Sequence, residues 1–100
     1  MEIRFENKVA FITGAAGGIG YAAARMFAEA GASVVMADLD SRVTDRAKEL
    51  EAEGHNAIGI RCDVSDEVQV KAAVEKAVAV FGKLDIAYNN VGIHAAVRED

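Results

Sequence analysis

The stretch Thr13-Gly14-Ala15-Ala16-Gly17-Gly18-Ile19-Gly20 constrains this chain more than any other. It separates an apolar run that reads as a strand, Val9-Ala10-Phe11-Ile12, from an alanine-rich run that reads as a helix, Tyr21 to Ala30. A strand, a glycine turn and a helix in that order make an anion cradle. The first N–H groups of a helix lack intrahelical acceptors, and the helix dipole is positive there. The natural occupant is a phosphate. Glycine is needed for a tight turn with positive φ, for close backbone approach to a pyrophosphate, and for close packing of helix on strand. A second feature agrees with this one. The run Ser33-Val34-Val35-Met36-Ala37 reads as a strand ending at Asp38, 18 positions after Gly20. That is where a dinucleotide fold needs a carboxylate to accept from ribose hydroxyls.

The remaining pattern repeats the strand-then-helix alternation. Gly31 is placed to cap the first helix, in which Ile19, Ala23 and Phe27 form one stripe with Ala22, Met26 and Ala30 beside it, and Arg25 and Glu29 point outward. A second helix is predicted from about Ser41 to Glu53, with Val43, Ala47 and Leu50 as a narrow apolar stripe, ended by Gly54. A third strand covers Ala57 to Cys62 and leads to Asp63-Val64. Ser65 is a fitting N-cap for a third helix carrying Val70, Val74, Ala77, Val78 and Phe81, closed by Gly82. A fourth strand, Leu84 to Tyr88, runs into Asn89-Asn90-Val91-Gly92. There is no proline, no linker and no internal boundary in the 100 residues, so they read as one unit.

Three such crossovers imply parallel strands joined right-handedly, and the usual doubly wound order is 3-2-1-4. Helices 1 and 2 are then expected on one face and helix 3 on the other. The crevice for a dinucleotide is expected where the order reverses, at the C-terminal ends of strands 1 and 4. Hydrophobic residues make up 52% of the chain, and with glycine counted the share exceeds the roughly 45–50% of an ordinary soluble domain. Such an excess suits a parallel sheet covered on both faces, or a piece of a larger fold.

Charge and cysteine usage exclude several function classes. A net charge of −5 with no basic stripe argues against nucleic acid and anionic membrane surfaces as partners. The start, Met1-Glu2-Ile3-Arg4-Phe5-Glu6, lacks the regions of a signal peptide, and no uncharged apolar run approaches ~18 residues. A cytoplasmic location is expected. One cysteine, Cys62, and two separated histidines, His55 and His94, give no metal-ligand spacing. Packing at a strand end is the expected role of Cys62.

Four motifs together resemble the short-chain dehydrogenases/reductases across nearly the whole chain. They are Asn7-Lys8-Val9-Ala10 leading into strand 1, the TGxxxGxG form at Thr13 to Gly20, Asp63-Val64 after strand 3, and NNxG at Asn89 to Gly92. Glycines 14, 18 and 20 follow this family's spacing rather than GxGxxG, and Gly17 adds flexibility. The resemblance implies a Rossmann-type α/β fold of four strands and three helices, incomplete relative to the full family fold. It implies that Gly14, Gly17, Gly18 and Gly20 wrap the adenosine ribose and pyrophosphate of NAD, with the Ile19 N–H facing phosphate. Asp38 would hold the adenosine ribose, with Leu39 lining that pocket. Asp63 would bond the adenine amino group with Val64 backing the ring, and Asn90 and Gly92 would lie along the ribose. Asn89 in this family more often braces the central strands. As structural alternatives, Asp63 reads as a residue capping the following helix and Asn90 as a turn residue.

A carboxylate at Asp38 repels a 2′-phosphate, and no Arg or Lys stands at Ala15, Ala16, Leu39 or Asp40 to offset it. NAD is therefore expected over NADP. The family's hydride transfer also uses a Tyr, a Lys four positions later and an upstream Ser. Arg25 stands four after Tyr21, Gly92 four after Tyr88, and no Ser follows Ser65. No catalytic residue is assigned here, and an alcohol or ketone substrate belongs to the complete protein, which family members' habits suggest is a homo-oligomer. A self-standing nucleotide-binding or interaction module is the competing reading. A methyltransferase-type domain leaves Asp63-Val64 and Asn89-Asn90 unexplained.

Overall fold

A computed structural model describes residues 4–90. The elements in chain order are β1 (Val9–Thr13), α1 (Gly18–Glu29), β2 (Ser33–Asp38), α2 (Arg42–Ala52), β3 (Ala57–Arg61), α3 (Glu67–Phe81) and β4 (Ile86–Tyr88). The strands form one parallel sheet in the order β3-β2-β1-β4. Register pairs Val9 with Ser33, Ile12 with Tyr88 and Asp38 with Arg61, so the strands end along a common edge.

Side chains alternate across a strand, and β1 and β2 bury both sets. Ala10, Ile12, Val34 and Met36 pack toward α1 and α2, against Ala24, Ala28, Val43, Ala47 and Leu50. Val9, Phe11, Val35 and Ala37 pack toward α3, against Ala73, Ala77 and Cys62. Cys62 is buried, and burial pushes its thiol pKa up, so it stays protonated at neutral pH.

Two helices lie so close to the sheet that glycine or alanine must face it. In β3, a Cβ on Gly59 would come within 2.6 Å of the Val43 carbonyl oxygen of α2. In α1 the buried residues are Gly20, Ala23, Ala24 and Ala28. The large apolar residues of the expected stripe are displaced to its flanks, with Ile19 71% and Met26 65% exposed. Phe27 is half-buried between the rings of Phe5 and Tyr88 at 5.1 and 6.4 Å. Arg25 is not simply directed to water: its guanidinium forks onto Glu53 beyond α2 at 2.7 and 3.0 Å.

Among the element ends that differ from expectation, three do so for evident local reasons. Helix α1 starts at Gly18, ahead of the apolar run at Tyr21, because the glycine turn itself supplies the first helical turn. The N-cap of α3 is Asp66, whose carboxylate accepts from the Val68 and Gln69 N–H groups. Ser65 instead donates its hydroxyl to Asp63. A carboxylate is the better acceptor at the positive end of a helix. Strand β4 begins at Ile86 because Asp85 spends its side chain on β1: its Oδ2 accepts from the Val9 N–H at 2.9 Å while its own N–H donates to the Val9 carbonyl.

The Val9 N–H holds the Asp85 carboxyl below the usual carboxylate range, with Lys83 adding to the effect. A pKa lowered on folding contributes stability above the unfolded value, ~3.9, and loses it as pH falls through the folded value. Thermal unfolding followed by circular dichroism is expected to show a midpoint that drops below about pH 4, and Asp85→Asn to flatten that drop. An unaltered acid limb in the variant would show that Asp85 carries no linkage. Gly59→Ala is expected to lower stability by about 1–3 kcal/mol in urea unfolding, through the forced retreat of α2.

Candidate functional site

The site is built on the C-terminal edge of the sheet, where β1 hands the chain to the glycine turn. Gly14 (φ 65°) and Gly18 (φ 60°) occupy the left-handed region, which is strained for other residues. Gly20 is required by space. A Cβ there would lie 1.8 Å from the Gly14 carbonyl oxygen and 3.0 Å from Nδ2 of Asn90. The missing side chain lets the first turn of α1 close onto the turn and brings Gly14, Gly20 and Asn90 together. A Cβ at Gly17 or Gly18 would meet nothing within 4 Å, so this side of the turn is open.

The first intrahelical bond of α1 runs from the Tyr21 N–H to the Gly17 carbonyl. The N–H groups of Gly18, Ile19 and Gly20 thus precede any intrahelical acceptor. No side chain caps this end, and its first turn holds no acid. The contrast with α3, capped by Asp66 and carrying Glu67 in its first turn, is direct. At the α1 end, backbone donors and the positive helix dipole face outward.

Asp38, at the end of β2, braces this turn. Its Oδ2 accepts from the Ala16 N–H and its Oδ1 from the Asp40 N–H, both at 2.9 Å. Each oxygen keeps a further lone pair. Leu39 is 58% exposed beside it, its carbonyl accepting from Arg61 Nε. Although positions 15, 16, 39 and 40 carry no cation, two arginines of α2 reach the same rim. Arg42 forks onto Asp40, and Arg46 donates to the Ala16 carbonyl. Their i,i+4 spacing puts both on one face of α2, but spacing does not say which backbone atom such a side chain meets.

On the other side, the Thr13 hydroxyl ties β1 to the chain leaving β4. It donates to Oδ1 of Asn89 at 3.0 Å and accepts from the Asn90 N–H at 2.9 Å. In the sequence Thr13 is marked only as the start of the glycine turn. Asp63 lies at the exit of β3. Its Oδ1 accepts from both the hydroxyl and the N–H of Ser65, and these bonds hold its carboxyl below the usual range. It makes no bond to the glycine turn among the described residues. Val64 lines a groove of about 220 Å³ with Phe11, Val70, Val74, Leu84 and Tyr88. Gly92 and Val91 lie outside the described residues.

The Tyr21 hydroxyl donates to Glu49 and accepts from Arg25 on the outer side of α1, and Tyr88 packs edge-on to Phe27. The geometry offers anion binding and polyol binding, with no assembled acid or base beside them among the described residues.

Comparison with known proteins agrees with this architecture. The chain is 47% identical over 89 residues to cis-4-hydroxycyclohexanecarboxylate dehydrogenase of Sinomonas cyclohexanicum, covering 89% of this chain and 36% of that protein. It is 48% identical over 96 residues to the mitochondrial borneol dehydrogenase of Lavandula x intermedia, covering 95% and 35%. The crystal structure of a hydroxysteroid dehydrogenase from Escherichia coli superposes with a TM-score of 0.83 at 39% identity, over 86% of this chain and 37% of that one. The chain thus spans little more than a third of the length of these relatives. A family profile described as short chain dehydrogenase matches residues 8–100, and the chain belongs to that family.

Proposed function

We propose that residues 1–100 are the NAD-binding half of a dehydrogenase that moves hydride between NAD and an alcohol or ketone. The observation that carries this reading is the closure of α1 onto Gly14 at the position where Gly20 lacks a side chain. It aims unpaired helix N–H groups at one point, with Asp38 on one side and Asn90 on the other. Ligands of doubly wound sheets bind where the strand order reverses, here between β1 and β4.

The residues fit the group. Gly14, Gly17, Gly18 and Gly20 would cradle the pyrophosphate against the N–H of Ile19. Asp38, already ordered by two backbone donors, would accept from the adenosine ribose with Leu39 at the pocket wall. Asp63 keeps Oδ2 for the adenine amino group, Val64 supplies an apolar wall, and Asn90 with Gly92 would follow the ribose. Bound NAD would supply the hydride acceptor. The Ser, Tyr and Lys of the family's proton transfer are absent from these 100 residues, so this chain holds the cofactor and leaves acid–base work to residues outside it. The half-buried Ile86 and exposed Ala87 and Tyr88 of the edge strand β4 favour packing against further protein, including a second copy. Among the described residues no helix is long and apolar enough to cross a membrane, and we place the protein in the cytoplasm.

Selectivity for NAD follows from Asp38, because a carboxylate accepts from a 2′-hydroxyl and repels a 2′-phosphate. Calorimetric titration of the intact protein is expected to show NAD bound at least about tenfold more tightly than NADP, the scale of one charged hydrogen bond. Asp38→Ser combined with Leu39→Arg is expected to reverse that order. Retained NAD preference in the double variant would remove Asp38 from the ribose site, and no saturable binding of either dinucleotide would overturn the function.

A further inference from the structure

Ala16, the residue before Gly17, is held through both of its backbone polar groups, which belong to the two peptide units that flank its Cα. Its N–H donates to Asp38, and its carbonyl accepts from Nε of Arg46 at 3.0 Å. Ala16 itself is 2% exposed, so this carbonyl has little water to turn to if the guanidinium leaves. Arg46 is in turn fixed from two directions. Its Nη1 pairs with Oε2 of Glu49 at 2.9 Å, and its guanidinium lies over the Tyr21 ring at 5.4 Å. Tyr21 closes the bracket by donating its hydroxyl to Oε1 of the same Glu49 at 2.9 Å. Glu49 therefore holds the arginine of α2 and the tyrosine of α1 at once.

We propose that Arg46 is a positioning residue for the dinucleotide, fixing the Ala16 peptide so that the turn's free N–H groups and the Asp38 carboxylate keep one mutual geometry. The inference rests on the dinucleotide reading of the turn. Planar guanidinium is suited to the task, since one face stacks on the ring while separate N–H groups serve Glu49 and Ala16. Lysine has donors enough but no planar face to stack, and its flexible stem fixes neither partner's direction. The ligand never touches Arg46 in this account; its effect passes through Ala16 to Asp38.

The test compares Arg46→Met with Glu53→Gln in the intact protein. Glu53→Gln cuts the Arg25 ion pair that also links α1 to the end of α2, with no contact to the turn. Two readouts are followed: the Kd for ADP-ribose, the part of NAD that the turn and Asp38 would grip, and hydrogen exchange at the Ala16 amide. Arg46→Met is expected to weaken ADP-ribose about tenfold and to speed Ala16 exchange, whereas Glu53→Gln lowers the unfolding midpoint and changes neither. Unchanged affinity and exchange in Arg46→Met overturn the proposal, as does an equal loss in Glu53→Gln. Failure of the unsubstituted protein to bind ADP-ribose overturns the dinucleotide reading itself, an outcome separate from these.

Discussion

The structure depends on one close approach, that of the first turn of α1 to the Gly14 carbonyl. Any Cβ at position 20 would sit 1.8 Å from that oxygen, far inside contact distance, so the backbone geometry exists only with glycine there. The consequence spreads outward. Because α1 sits low on the sheet, only Ala23, Ala24 and Ala28 fit beneath it, and Ile19 and Met26 are left at the surface. Because the helix starts immediately after the turn, its first N–H groups are left without intrahelical partners at the C-terminal edge of the sheet. Packing and the proposed site depend here on the same constraint.

Around that approach, polar side chains do the work of holding backbone. Asp38 spends one lone pair of each oxygen on N–H groups of its own neighbourhood, and Thr13 links the ends of β1 and β4 through Asn89 and Asn90. Asp85 does the same at the opposite end of β1. Charge-assisted bonds to backbone N–H groups are directional and stronger than neutral ones, which makes them suited to fixing loops. The residues expected to meet a ligand are thus also those that set the shape it would meet.

Much of this was legible in the residues, and the exceptions have physical causes. The glycine turn and the acidic end of β2 mark the C-terminal edge of the sheet, the repeated strand-then-helix pattern implies the doubly wound order, and the apolar runs of β1 and β2 imply two buried faces, as in the successive burial of Val34, Val35 and Met36. Helix faces were less legible. An apolar periodicity in α1 marks Ile19 and Met26 as well as the alanines, and only the depth at which the helix sits decides that small residues win. The cap of α3 fell to Asp66 because Ser65 was drawn to Asp63, a competition between neighbours that spacing does not rank. Arg46 acts through the Ala16 carbonyl and Thr13 through Asn89 and Asn90, all in distant segments, and no one-dimensional pattern encodes such partners.

The central claim is that the closure of α1 on Gly14 creates the dinucleotide site. The direct measurement is NAD titration of the intact protein and of Gly20→Ala, with circular dichroism to confirm that the variant retains its helices. The account predicts saturable NAD binding by the glycine form and its loss in a folded alanine variant, since the added carbon must push the helix N–H groups off the turn. Equal affinity in the two folded proteins would contradict it.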